Sequence, residues 1–269
     1  MGNADRRNDK LMSENGAELT ESDGVITVVI DRQDKLNAIT PRITAAFWEA
    51  ANLLANREDL RVMVITGRGR FFTAGIDLNY PAADRRGGKL SSDIAYRRQY
   101  RRHHLLYDEF ESIEKPIILA AQGPCLGAGV EMAASCDFRF ASASTYFELP
   151  EVRLGLIAGS GGTSRLTRLV GPHWGKWMAM AGQRVSAEQA KLIGFVHEVF
   201  PDDSFQESVE DFARSLAALP GEAVGVAKLV VDIANDTDRT TQRHVDRIAN
   251  GPRASSPEFA VNTEPFAES

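Results

Sequence analysis

Apolar residues recur along this chain with two different periods. Short β-branched runs at residues 24–31 (GVITVVID), 61–66 (RVMVIT) and 116–121 (PIILAA) show no polar alternation. They are expected to be strands covered on both faces, as parallel strands inside α/β proteins are. Between the first two, Thr40 followed by Pro41 predicts a capped helix start, and Ile43, Phe47, Ala50 and Leu54 then recur at helical spacing. The strand, helix, strand order repeats, with 116–121 leading through a glycine-rich turn into an apolar helix at 130–135. That order defines an α/β organisation. At residue 186 the pattern changes: Ser186-Ala-Glu-Gln189 is a capping box that opens a short helix ending near Gly194, and 196–200 makes a last strand. Beyond a boundary near Pro201, residues 205–219, 222–233 and 237–249 are helical by composition. The two hydrophobic ones are expected to pack outward onto another part of the assembly.

The totals narrow the field. A chain of 269 residues, 43% hydrophobic and 25% charged, suits one large folded unit with a helical appendage. A net charge of −6 argues against a general nucleic-acid or membrane-surface binder, which needs a basic face. Only Cys125 and Cys136 are available as thiols, without metal-ligand spacing, so neither a disulfide framework nor a zinc site is expected, and a reducing cytoplasm fits. Residues 1–16 are polar and too short of apolar side chains for a signal peptide or membrane span, so a mobile tail is expected.

Three stretches put glycines and one acidic residue at the C-terminal end of an expected strand, the edge where open α/β sheets bind ligands. In FFTAGID (71–77), Gly75 lets the backbone turn and leaves the Ile76 amide free to point into a pocket. A plain turn with Asp77 capping a helix would also account for it. In GPCLGAGVE (123–131), three glycines expose amides at the positive end of a helix, where negative charge is favoured. Close helix packing explains the glycines but not Glu131, a carboxylate among Val130, Met132, Ala133 and Ala134. In residues 147–162 (FELPEVRLGLIAGSGG), Glu151 follows Pro150 and a second glycine-rich turn leads into 163–170. Glu151 could equally be a surface carboxylate paired with Arg153. In 97–104 (RRQYRRHH) a basic helix with Tyr100 interleaved has the electrostatics of an RNA-binding surface, although such runs are usually solvated helix faces, with His103 and His104 at the surface or in a pocket wall. Trp174, Trp177, Met178 and Met180 suit core or subunit contact.

In type, order and spacing, FTAGID ending at Asp77, GAGVE ending at Glu131 with Ser135-Cys-Asp137 beyond, and PEVRLG starting at Pro150 with GSGGT at 159–163 resemble the crotonase (enoyl-CoA hydratase/isomerase) superfamily. The resemblance runs from about residue 24 to 200. It implies a spiral of ββα units across 17–200 and a C-terminal helical region, 201–269, that builds trimers, often paired into hexamers. It implies an oxyanion hole from the backbone amides of Ile76 and Ala128, with Glu131 and Glu151 as the carboxylate pair of a hydratase. It places coenzyme A contacts at Lys35, Ala38, Ala74, Gly75, Asp77 and Leu78, and an acyl pocket at Leu126, Gly127, Pro150 and Gly159. No separate cofactor or metal is implied, since coenzyme A arrives with the substrate, and no nucleic-acid or membrane partner. Gly159 stands where dienoyl-CoA isomerases place an aspartate, which favours hydration of a 2-enoyl-CoA. Isomerase, thioester hydrolase and carbon–carbon bond cleaving reactions use the same oxyanion hole and stay open. Two departures concern substrate binding: residues 257–269 lack the basic side chains common there, and the stretch 79–104, where acyl specificity is expected to lie, is long.

Overall fold

The computed structural model describes residues 16–79 and 93–267, with the backbone alone at 93–100, 102 and 265–267. Residues 1–15 of the expected tail, residues 80–92 of the long stretch and most side chains of the basic run lie outside the described residues.

The chain opens with a hairpin of β1 (Ala17–Ser22) and β2 (Val25–Ile30), antiparallel in a register that pairs Ala17 with Ile30. A 3₁₀ turn at Gln33–Lys35 leads to α1 (Pro41–Asn56). Thr40 Oγ1 accepts from the Ile43 N–H at 3.3 Å, and Pro41 fills a first position whose N–H would have no helical partner. Ile43, Phe47, Ala50 and Leu54 are all buried, as their spacing requires. Each large side chain among them contributes about 2 kcal/mol by leaving water. There follow β3 (Val62–Gly67), α2 (Asp93–Ser112), β4 (Ile117–Ala121), β5 (Cys125–Leu126), α3 (Ala128–Ala133), β6 (Phe138–Ser142), β7 (Tyr146–Glu148), a second 3₁₀ turn (Glu151–Leu154), α4 (Arg165–Ala179), β8 (Val185–Ser186), α5 (Ala187–Leu192) and β9 (Glu198–Phe200).

Two sheets result. The larger runs β1-β2-β3-β4-β6-β9, parallel from β2 onward, and the smaller runs β5-β7-β8. Isolated parallel pairs, Thr73 with Cys125 and Ile39 with Ile76, extend the second layer past β5. Each long strand thus feeds a short extended piece of the second layer and then a helix: β2, Ile39, α1; β3, the 73–76 segment, α2; β4, β5, α3; β6, β7, α4. That repetition is the strand–strand–helix spiral. It delivers every crossover from the large sheet to one edge of the second layer, and both glycine turns lie there.

The large sheet is apolar on both faces because both are covered. Ile26, Val28 and Ile30 face the main core with α1, whereas Val25, Val62, Val64, Ile118, Ala120 and Phe140 join Phe205, Val209 and Ala213 in a second cluster. Those last three belong to α6 (Phe205–Ala217), followed by α7 (Gly221–Ala234), α8 (Arg239–Arg253) and α9 (Pro257–Ala267). The expectation that the helix at 205–219 packs outward is therefore corrected: it closes the exposed face of its own sheet. From α7, Lys228 donates to the Asp137 carboxylate at 3.0 Å and to the Phe110 carbonyl at 2.8 Å, and Asp137 also accepts from the Ile117 N–H at 2.7 Å. The capping box at Ser186 and Gln189 is complete in both directions. Helix α4 kinks at Gly171 (φ 75°), next to Pro172, which cannot donate to the preceding turn. Among the described residues no helix is long and apolar enough to cross a membrane.

Candidate active site

The first turn is anchored from below. Asn37, buried and left-handed (φ 54°), accepts from the Arg32 N–H at 2.8 Å and donates to the carbonyls of Arg68 and Phe71 at 2.9 and 2.7 Å. Asn tolerates that backbone region better than other non-glycine residues. Above it, Ile39 N–H donates to Gly75 O at 2.8 Å and Asp77 N–H to Ile39 O at 2.9 Å. Both bonds flank Ile76, so parallel pairing turns the Ile76 N–H to the opposite edge. That edge is where the second turn lies: a Cβ on Gly75 would sit 3.1 Å from Leu126 O and 3.5 Å from the Ala128 nitrogen. Gly75 holds φ 88°, open to glycine alone without strain.

The second turn is pinned by Leu126 N–H to Thr73 O at 3.0 Å and Gly127 N–H to Glu148 O at 2.9 Å. Gly127, at φ 53° and ψ −118°, hands the chain to α3, whose first residue is Ala128. A helix leaves its first amides without intrahelical acceptors. Neither the Ile76 nor the Ala128 N–H has an acceptor among the described residues. Two neighbouring turns thus present two unclaimed donors.

Beside them stand two glutamates. Glu131, on α3 and 4% exposed, accepts at Oε1 from Ser160 N–H at 2.7 Å and Gly162 N–H at 3.4 Å. Burial pushes its carboxyl up to about 7, and the Glu151 charge adds to this against the two amides and Arg165. Glu151 opens the second 3₁₀ turn. Its Oε1 lies 2.7 Å from where a Gly127 Cβ would be, and its buried Oε2 has no partner among the described residues. Burial raises this carboxyl too, with the Glu148 charge adding. Glu148 itself is buried and held by Arg153 and by Arg184 Nε at 2.7 Å.

The expected residues gather unequally. Ala38, Ala74, Gly75, Asp77 and Leu78 form one strip, tied by Ala74 N–H to Leu36 O at 2.9 Å. Lys35 sits exposed on the 3₁₀ turn just before it. Asp77 turns its carboxylate to Arg32 at 2.7 Å, and Arg32 also donates to the Ala38 carbonyl. Leu78 is 51% exposed. Leu126 and Gly127 line the second turn, Pro150 precedes Glu151, and the Gly159 carbonyl meets His104 at 2.5 Å. His104 is thus turned inward, while Met178 is core and Trp177 and Met180 are exposed. Sequence reasoning missed the Ser160 and Gly162 amides, Tyr107, Asn37 and the Glu148 pair. Of these only Asn37 carries a sequence signal, a turn-forming residue ahead of a helix cap. A cavity of about 540 Å³ lies elsewhere, between α1 and the C-terminal helices, lined by Glu58, Arg61, Lys115, Leu219 and Glu258 among others. Neither Glu131 nor Glu151 lines it. Among the described residues no group of three His, Cys, Asp or Glu side chains could hold a metal ion.

Fold and site together define an acyl-CoA-type enzyme of the crotonase class. The enoyl-CoA hydratase/isomerase family model matches residues 20–268, and the chain belongs to that family. It is 34% identical to a 2,3-dehydroadipyl-CoA hydratase of Escherichia coli over 204 residues, 76% of each chain. It is 30% identical to a 1,2-epoxyphenylacetyl-CoA isomerase of the same organism over 224 residues, 83% of this chain and 84% of the other. A crystal structure of enoyl-CoA hydratase from Bacillus anthracis superposes with a TM-score of 0.86 at 26% identity, covering 94% of this chain and 96% of that one.

Proposed function

We propose that this enzyme adds water to a 2-enoyl-CoA to give the 3-hydroxyacyl-CoA. The observation that carries the proposal is the pair of buried, raised carboxyls beside two adjacent unclaimed amides. The thioester oxygen accepts from Ile76 and Ala128 N–H, which stabilise the negative charge that develops there. Losing one such donor typically costs about 3 kcal/mol. Glu131 takes a proton from water as its oxygen attacks C3, and Glu151 delivers a proton to C2, so that H and OH are added across the double bond. The pair must therefore hold one proton between them, on Glu151 at the moment of attack. Coenzyme A lies along Lys35, Ala38, Ala74, Gly75, Asp77 and Leu78, and the acyl chain against Leu126, Gly127, Pro150 and Gly159. Coenzyme A enters with the substrate and no further cofactor takes part. Hydration is preferred over dienoyl-CoA isomerisation because both acids are present and Gly159 offers no third carboxylate. Buried thiols at Cys125 and Cys136 suit the cytoplasm, and exposed Met180, Leu192, Val231, Ile248 and Val261 support assembly into a trimer or hexamer.

Crotonyl-CoA supplies the test. Purified enzyme is expected to bleach the conjugated thioester absorbance to an equilibrium value. No bleaching, together with conversion of a 3-enoyl-CoA into its conjugated isomer, would replace hydration by isomerisation.

A further inference from the structure

Helix α2 carries His104, Tyr107, Asp108 and Glu111 at offsets 0, 3, 4 and 7, which is one helical face. All four reach the frame around the acids and none is used by the hydration chemistry. His104 Nε2 lies 2.5 Å from the Gly159 carbonyl. A carbonyl oxygen can only accept, so Nε2 carries a proton and donates. The same peptide group, at its nitrogen end, is the Ser160 N–H that donates to Glu131 Oε1 at 2.7 Å. Hydrogen bonds at the two ends of one peptide polarise each other, and the first fixes the plane in which the second points. One turn along α2, the buried Tyr107 hydroxyl donates to the Ala128 carbonyl at 3.2 Å, holding the residue whose N–H faces the oxyanion position. Asp108 and Glu111 then hold Arg165, which closes the 159–164 loop, at 2.5 and 2.6 Å.

We infer that this face of α2 is the positioning element of the site: His104, acting through the Gly159–Ser160 peptide, sets the hydrogen bond from the Ser160 N–H to Glu131, and Tyr107 sets the Ala128 turn. The inference rests on Glu131 being the base. The groups bearing on Glu131 are Glu151 from the 3₁₀ turn, Arg165 from α4, the Ser160 and Gly162 amides of the loop, and Tyr107 from α2, a phenol that burial keeps neutral. His103, beside His104, is held neutral by burial.

The experiment is the pH dependence of crotonyl-CoA hydration by the full chain. In His104→Leu the acid limb is expected to move up by about half a pH unit, since a weakened donor favours the protonated carboxyl. At neutral pH kcat falls about threefold to tenfold, with KM changed less than about twofold. His104→Gln, which keeps an N–H donor, restores the limb, and Tyr107→Phe lowers kcat without moving it. A limb and kcat unchanged in His104→Leu would overturn the inference. So would loss of the limb altogether in His104→Gln, because the titrating group would then be the imidazole, or a Tyr107→Phe shift equal to that of His104→Leu. Glu131→Gln separates the two levels: full activity there refutes Glu131 as base, whereas an inactive Glu131→Gln beside an unshifted His104→Leu refutes only the role of α2.

Discussion

Glu131 and Glu151 are the same side chain raised by the same cause, yet the two regions that hold them solve burial differently. Glu131 sits on a helix, 4% exposed, with one oxygen clamped by two main-chain amides. Glu151 sits on a 3₁₀ turn with one oxygen against Gly127 and the other without a donor among the described residues, and a further carboxylate, Glu148, stands behind it. Donors to the charged form favour ionisation, and their absence favours the proton. Burial still raises Glu131 further than Glu151, so the two amides offset only part of its cost. The proposed roles of base and proton donor rest on the donors each oxygen has rather than on the order of the two shifts.

The severest way to break this contrast is to neutralise each acid in turn. Glu131→Gln and Glu151→Gln are each expected to slow crotonyl-CoA hydration by a factor on the order of a hundred or more. Both variants should keep the parent's circular dichroism, so that lost activity reports chemistry. Next in size is Gly127→Ala. The added methyl would meet Glu151 Oε1 at 2.7 Å from a backbone at φ 53°. Displacing Glu151 and straining the turn that leads into Ala128 should cost about tenfold or more in kcat. Steady-state kinetics would show it, and an unchanged kcat would mean that Glu151 need not approach the turn. The pH profile sharpens the contrast further. With the Glu131 carboxyl pushed up to about 7, its base form is lost as pH falls below that value, so kcat/KM should drop about tenfold per unit beneath the limb. The smallest effect is on stability. Because the folded value lies above the ordinary 4.5, the native state favours the protonated carboxyl. That contribution is fully present below about 4.5 and is lost as pH rises through 7. Glu131→Gln removes the buried charge, so it should melt higher than the parent at pH 8, by an amount worth about 1–3 kcal/mol, with the gap closing by pH 5. Glu151→Gln should show a smaller gap, since its carboxyl is raised less. Thermal melts across that range check both.

What the sequence disclosed followed periodicity and local chemistry. Ile43, Phe47, Ala50 and Leu54 marked α1, the Ser186 box marked α5, and a carboxylate among apolar neighbours marked Glu131 before any coordinates were needed. Helix α9 was not legible because PEFAVNTEPFA has no regular apolar face. The destination of α6 was hidden for another reason: Phe205, Val209 and Ala213 announce an apolar stripe but not the surface it covers. His104 and Tyr107 were illegible as positioning residues because their partners are the carbonyls of residues 159 and 128, and a backbone acceptor leaves no trace in side-chain identity. The amides that clamp Glu131 escaped notice likewise.

Lys228 gives the C-terminal helices a consequence of their own. Its ammonium neutralises Asp137 at the foot of β4, while α6 roofs the far side of the large sheet. A fragment cut near Pro201 would keep both glycine turns and both glutamates, yet it would strand an inward-facing anion and bare a broad oily surface to solvent. The joint visible in the sequence is a seam in the writing of the chain, and the folded body has no matching line along which it could be divided.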